Sequence, residues 1–256
     1  MPLQARTTTW ADCRRSTPSY RPSPASLAQV FGDRPQPSVQ QASAFAFVGN
    51  MTNPLDPVRL AATREVYDAT VHTLHTLDEA LRTLFHELER RGILAHALVI
   101  VTADHGQEFG DHGNIGHGYT LFGEVLHVPL LVLAPGRPTP AEIATPVSLV
   151  DLAPTVLDWV GGAAPPSFTG RSLRPLIERH TTWQGWLRPA PAPQPLLAEL
   201  TRTEELNRRR RSPHTQAVVL GSHKLIAGID GEREYYDLMA DPAERAPDAL
   251  TAAQRA

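Results

Sequence analysis

The chain has 256 residues, with 24 Lys and Arg against 27 Asp and Glu and a formal net charge of -3. That length holds one sizeable domain, or one with a small companion, and the near-balanced charge excludes the clustered basic surplus of a nucleic-acid binder. The single Cys13 excludes an internal disulfide framework, and no apolar run nears the roughly 20 residues that span a bilayer.

The start, Met1 to Trp10, lacks the apolar core of a secretory signal, so the chain as written reads as cytoplasmic, with its true compartment left open. Residues 1–43 are rich in Ser, Pro, Arg and Gln and show no period, which predicts an irregular segment. Ala44 to Val48 has strand length and stops at Gly49-Asn50. Pro57 then sits where a helix can start. Tyr67, Val71, Leu74, Leu77, Leu81, Leu84, Phe85 and Leu88 recur at threes and fours, the signature of a long amphipathic helix with one buried stripe. Gly92 is placed to end it. Ala97 to Thr102 follows as a continuous apolar run, predicting a strand buried on both faces and half of a βαβ unit.

Immediately after that strand the composition changes to Asp, His and Gly. Asp104 and His105 stand at the strand end, where an α/β enzyme presents its site. A carboxylate beside an imidazole suits Mn²⁺, Zn²⁺ or Fe²⁺ better than an all-oxygen Ca²⁺ cage, although one nitrogen does not exclude Ca²⁺. The competing reading makes Asp104 a turn cap and His105 a satisfied polar residue. His112 and His117 each precede a glycine, and an imidazole there can donate to a leaving oxygen or to the anionic oxygens of an ester. His117, framed by Gly116 and Gly118, is the stronger of the two; His112 also fits a surface turn. Glu108 and Asp111 read as solvated loop acids and His127 as a packing histidine.

Further along, Tyr119 to Val125 predicts a short helix and Val128 to Ala134 a buried strand stopped by Pro135-Gly136. Ser148 to Val160 reads as a helix closed by Gly161-Gly162, and Arg171 to Arg179 as a second. Pro189 to Pro195 is a linker, and Arg208 to Arg211 a basic run best read as a solvated loop. Leu196 to Leu200, Gln216 to Leu220, Lys224 to Ile229 and Glu234 to Leu238 are strands in succession, which predicts an antiparallel subdomain. Asp230-Gly231 marks a hairpin turn between the last two. The expected organisation is an irregular segment at 1–43, an α/β domain at 44–180 and a small subdomain at 196–245.

The run Thr102-Ala-Asp-His-Gly-Gln-Glu-Phe-Gly-Asp-His-Gly113, followed by Gly116-His-Gly-Tyr-Thr-Leu-Phe-Gly-Glu-Val-Leu-His-Val-Pro-Leu-Leu-Val-Leu-Ala-Pro-Gly136, resembles the sulfatase-like branch of the alkaline phosphatase superfamily. Tyr67-Asp-Ala-Thr-Val71, Asp78 and Leu94 upstream are similar to that family as well. So are Val147-Ser-Leu-Val-Asp-Leu-Ala-Pro-Thr-Val-Leu-Asp158, Gly170-Arg-Ser-Leu173, Lys224-Leu-Ile226 and Tyr235 to Glu244 downstream. Together they cover roughly residues 44–245. The resemblance implies a mostly parallel sheet flanked by helices, incomplete at its N-terminus, with a small C-terminal antiparallel α+β subdomain. It implies that Asp104 and His105 are the second pair of ligands of a divalent ion, whether Ca, Mn or Zn. It places His117 where the family has a Lys or His on the anionic group or leaving oxygen of a small anionic ester. The implied reaction is displacement at sulfur or phosphorus through a covalent enzyme intermediate.

Two departures from the family pattern shape the expectation. The family's Cys/Ser-x-Pro-Ser-Arg nucleophile element has no match: Cys13 is followed by Arg-Arg-Ser, and Ser16-Thr-Pro-Ser-Tyr20 carries Tyr in place of Arg, with no Asp-Asp pair before it. Between Ala44 and Pro57 there is no histidine, where many relatives have one that contacts substrate. The chain therefore reads as the C-terminal half of a metal-dependent sulfate ester hydrolase whose nucleophile lies on a missing N-terminal half. The alternatives are a phosphodiester or phosphonate hydrolase or phospho-group transferase of the same superfamily, toward which the Asp-His pair tilts, and an inactive fragment or binding remnant. A sheet lacking its first strands exposes an edge and apolar helix faces, which predicts poor solubility of the isolated monomer.

Overall fold

The computed structural model describes residues 28, 74, 77–113, 115–135, 141–182, 187, 192–201 and 214–248. The expected strand at 44–48, the helix start at Pro57, Cys13, Ser16 to Tyr20 and the Arg208 to Arg211 run lie outside them. The chain divides into two compact units, residues 1–82 with 108–116, and residues 83–107 with 117–256.

Helix α1 runs over 77–90. Its apolar stripe is only half covered: Leu81, Phe85 and Leu88 are partly buried, whereas Leu77 and Leu84 are about half exposed. Gly92 ends the helix as expected, in the left-handed conformation (φ 68°), with the Ile93 N–H reaching back to Leu88 O at 2.9 Å.

In the first unit, strands β2 (Glu108–Phe109) and β3 (Ile115–Gly116) form a small antiparallel hairpin, with Glu108 opposite Gly116. Glu108 is fully buried on this strand, so its reading as a solvated acid is corrected.

In the second unit, β1 (Val99–Thr102) pairs with β4 (Leu130–Leu133) in antiparallel register, Val99 opposite Leu133 and Thr102 opposite Leu130. The expectation of a mostly parallel sheet is thus not met by this pair. The Gly-rich segment turns the chain back at the carboxyl end of β1, and α2 (Gly123–Leu126) is too short to be the crossover that a parallel partner requires. The expectation that β1 is buried on both faces is corrected too. None of its four residues is fully buried, because β4 is its sole strand neighbour among the described residues.

The segment Ser148 to Leu173 explains why the two motifs within it take the form they do. Leu149–Asp151 is a 3₁₀ turn leading into α3 (Leu152–Trp159), and α4 (Arg174–Thr181) follows. Asp151 is buried and accepts two backbone donors, Ser148 N–H at 3.0 Å and Arg171 N–H at 2.8 Å. Thr155 Oγ1 accepts the Leu173 N–H at 2.8 Å and donates to Asp151 O at 2.6 Å. Gly170 backs directly onto Val150 O, where any Cβ would collide. Ser-x-x-Asp and Gly-Arg-Ser-Leu are therefore two halves of one polar clamp.

Strands β5 (Leu196–Thr201), β6 (His214–Leu220), β7 (His223–Gly228) and β8 (Arg233–Asp237) make the antiparallel sheet that the sequence predicts, in the order β5-β6-β7-β8. A two-residue turn at Gly221 (φ 62°) joins β6 to β7. Asp230 and Gly231 (φ 88°) sit in a four-residue loop between β7 and β8, closed by the Gly228 N–H to Glu232 O bond at 2.9 Å. Ala217, Ile226 and Tyr236 form the core on one face of this sheet. Leu121 and Phe122, the residues just after the His117 loop, complete that core, with Phe122 edge-on to Tyr236 at 6.2 Å.

Candidate functional site

The site begins where β1 ends. Asp104 and His105 follow the strand by two and three residues, as the sequence predicts. The loop is then clamped to α2 by two backbone bonds, Gly106 N–H to Val125 O at 2.7 Å and Gln107 N–H to Glu124 O at 2.8 Å. Position 106 must be glycine, because a Cβ there would overlap the Glu124 carbonyl. The chain re-enters the site at His117 and Gly118 (φ 78°) before burying Leu121 and Phe122 against the C-terminal sheet.

A second anchor lies beneath α2. Lys224 Nζ and Glu244 Oε1 are 2.6 Å apart, and their side chains are 2% and 3% exposed. The other Glu244 oxygen accepts the Gly123 N–H at 3.0 Å. Burial pulls the Lys224 ammonium below its ordinary range, against the Glu244 hydrogen bond and charge that raise it. The α2 end of the site loop is thereby tied to the sheet by a paired, hydrogen-bonded charge.

Asp104 Oδ1 accepts the His105 N–H at 3.0 Å, which fixes the carboxylate beside its neighbour. Asp104 Oδ2 then stands 3.8 Å from His105 Nε2. His105 Nδ1 lies 2.8 Å from Gly106 O. A carbonyl only accepts, so Nδ1 carries the hydrogen and Nε2 presents a lone pair in the neutral ring. The His117 ring lies 4.0 Å from the His105 ring, centroid to centroid, tilted by 31°. His117 Nδ1 is 2.9 Å from Gln107 Oε1. Burial lowers the His117 pKa from the usual imidazole value, the neighbouring His105 adds to the lowering, and Asp104 opposes both. All three residues line one cleft with largely apolar walls, including Val125, Leu126 and Leu131.

The structure thus brings Asp104, His105 and His117 together. His112 belongs to the first unit, in the turn between β2 and β3. His127 is exposed at the C-cap of α2, so its reading as a packing residue is corrected; its N–H, not its ring, closes the helix on Gly123 O at 2.7 Å. Gln107 escaped the sequence reading, although its place directly after Asp104-His105-Gly106 was a usable signal. Among the described residues no group of three or more His, Cys, Asp and Glu stands close enough to hold a metal by itself. The donor chemistry of Asp104 and His105 nonetheless fits a cation: a carboxylate oxygen and an imidazole lone pair side by side, with the other ring nitrogen donating to a carbonyl.

Residues 17–163 match the family model described as Sulfatase. The chain belongs to the sulfatase family. The match starts upstream of residue 44, where the recognisable motifs begin. Arylsulfatase K of Mus musculus is 29% identical over 170 residues, which are 65% of this chain and 29% of that protein. Among solved structures, one in complex with its substrate D-glucosamine-2-N,6-O-disulfate aligns with a TM-score of 0.61 and 23% identity, over 81% of this chain and 40% of the other. The phosphonate monoester hydrolase of Agrobacterium radiobacter aligns with a TM-score of 0.64 and 22% identity, over 84% of this chain and 46% of the other. This sulfatase-family chain therefore spans less than a third of the mouse relative and less than half of either solved chain, and it shares their α/β fold. No helix among the described residues is long and apolar enough to cross a membrane.

Proposed function

We propose that this chain is the C-terminal part of a metal-dependent hydrolase of sulfate esters. Asp104 and His105 are one half of the metal site, and His117 meets the small anionic ester. The observation that carries this reading is the approach of Asp104 Oδ2 and His105 Nε2 to 3.8 Å, with the His117 ring 4.0 Å from that of His105. The backbone bond to Asp104 and the Gly106 carbonyl hold the two donors in place before any cation arrives. Asp104 and His105 would hold a divalent ion, Ca²⁺, Mn²⁺ or Zn²⁺, which would supply Lewis acidity to the ester. His117, whose pKa is lowered by burial, accepts a proton at its free ring nitrogen in this cleft.

The nucleophile, the first metal pair and the parallel strands of the sheet come from an N-terminal half in this reading. Two facts support it: the chain spans 29% of its mouse relative, and Leu84, Leu131 and Val150 are more than half exposed. The test is turnover of an aryl sulfate, an aryl phosphodiester and a phosphonate monoester with added Mn²⁺, Ca²⁺ or Zn²⁺, by the chain joined to its upstream coding sequence. The aryl sulfate should be the fastest, and Asp104→Ala should cost at least about a hundredfold. Unchanged turnover in Asp104→Ala would sink the proposal. A folded, metal-loaded protein with no turnover would instead favour a binding remnant. A phosphonate or phosphodiester hydrolase is the second reading, favoured by the imidazole of His105 in the metal pair and by the solved phosphonate monoester hydrolase that shares the fold.

A further inference from the structure

We infer that Gln107 is a positioning residue for His117: its side-chain carbonyl fixes the ring in the Nδ1–H tautomer and leaves Nε2 as the nitrogen that can accept a proton at the site. This rests on the proposal that His117 faces substrate, and it deepens that proposal by assigning the working atom.

The argument starts from the 2.9 Å contact between His117 Nδ1 and Gln107 Oε1. An amide oxygen has lone pairs and no hydrogen, so the ring must supply the hydrogen from Nδ1. A neutral imidazole carries only one N–H, and spending it on Gln107 leaves Nε2 as an acceptor. Without such a partner an imidazole side chain prefers the opposite form, protonated at Nε2. Gln107 can impose its choice because its own backbone does not drift. The Gln107 N–H is bonded to Glu124 O at 2.8 Å, and the preceding Gly106 N–H to Val125 O at 2.7 Å. The ring is held from its other side by His105, 4.0 Å away. His105 itself is fixed by the same device, its Nδ1 against the Gly106 carbonyl. Both residues line the cleft that Asp104 shares, each with its Nδ1 engaged by an acceptor oxygen. A neutral amide, rather than a carboxylate, performs the task for His117. It sets the orientation without adding a negative charge that would compete with an anionic ester.

The experiment is ¹⁵N NMR of the histidine-labelled chain at about pH 8, where imidazoles are neutral, with His117→Gln used to assign the signal. The ¹⁵N shifts separate a protonated ring nitrogen from a bare one, so they read the tautomer directly and need no turnover. Wild type should show Nδ1 protonated and Nε2 bare. Gln107→Leu should move the tautomer ratio toward Nε2–H by about tenfold, the effect of losing one hydrogen bond. Gln107→Glu keeps an acceptor oxygen and should restore the Nδ1–H form. A wild-type ring protonated at Nε2 overturns the inference, as does a folded Gln107→Leu variant with an unchanged ratio. Should the leucine variant not fold, the wild-type and glutamate spectra still decide. Failure here leaves the metal and turnover tests of the ester hydrolase reading untouched, and their failure would leave this tautomer in place.

Discussion

The C-terminal sheet and the β1–β4 pair are both antiparallel, yet they are finished to different degrees. In the sheet, burial alternates along the strands: Thr215 and Ala217 on β6, Lys224 and Ile226 on β7, and Tyr236 on β8 are buried. One face is closed by Leu121 and Phe122. In the β1–β4 pair no residue is fully buried, and Leu131 is 53% exposed. The segment after the His117 loop is therefore buried in the core of the sheet, whereas the site-bearing strand has no fully buried residue. The lesson is that the loop carrying Asp104, His105 and His117 borrows its rigidity from α2 and the sheet behind it, rather than from the strand it leaves.

That contrast can be broken at its strongest joint first. Lys224→Met removes the ammonium that faces the buried Glu244 carboxylate and should cost about 3–5 kcal/mol of stability. Urea unfolding followed by near-UV circular dichroism of Tyr236 and its neighbours would show it. A loss below about 1 kcal/mol would mean that the α2 anchor does not depend on this pair. Gly106→Ala forces a Cβ into the Glu124 carbonyl and should cost about 1–3 kcal/mol, together with a measurable loss of Mn²⁺ affinity by calorimetry. Unchanged metal affinity would separate the loop clamp from the site. Thr155→Val removes the hydroxyl that serves both Leu173 N–H and Asp151 O. It should cost about 1–3 kcal/mol without altering the sheet's amide-exchange protection, because it acts on the helical clamp alone.

The smallest expected effect concerns pH. The His117 pKa is lowered in the folded state, so its protonated form is disfavoured there relative to the unfolded chain. Above the ordinary imidazole value of about 6.5 the group is neutral in both states and contributes nothing. As pH falls below that value the unfolded chain binds the proton first, and stability declines until the lowered folded pKa is passed. His117→Gln should flatten that acid limb in a melting-temperature series, and an identical limb in both proteins would assign it elsewhere. Separately, the chain alone should self-associate in light scattering through its exposed leucines. A clean monomer would show that these surfaces need no cover.

Much of the molecule could be read along the chain. Gly92 as a helix stop and the four consecutive C-terminal strands follow from local φ requirements and period-two patterning, which act within a few residues. Asp104 and His105 at a strand end were legible for the same reason. The burial of Glu108, the exposure of His127 and the antiparallel direction of β4 were not, because each depends on which distant segment arrives beside it. The amphipathic stripe of α1 shows the limit: periodicity states which face wants cover, not whether cover is there.

The sequence by itself determined the elements, the turn glycines and the residues with metal-ligand chemistry, since these follow from side-chain type and short-range sterics. Tertiary structure alone decided that His117 stacks on His105 from a dozen residues away. It also decided that Gln107 faces His117 Nδ1 and that Lys224 and Glu244 meet beneath Gly123. The Glu244 contact to Gly123 joins residues far apart in the chain, and it ties α2 to the sheet.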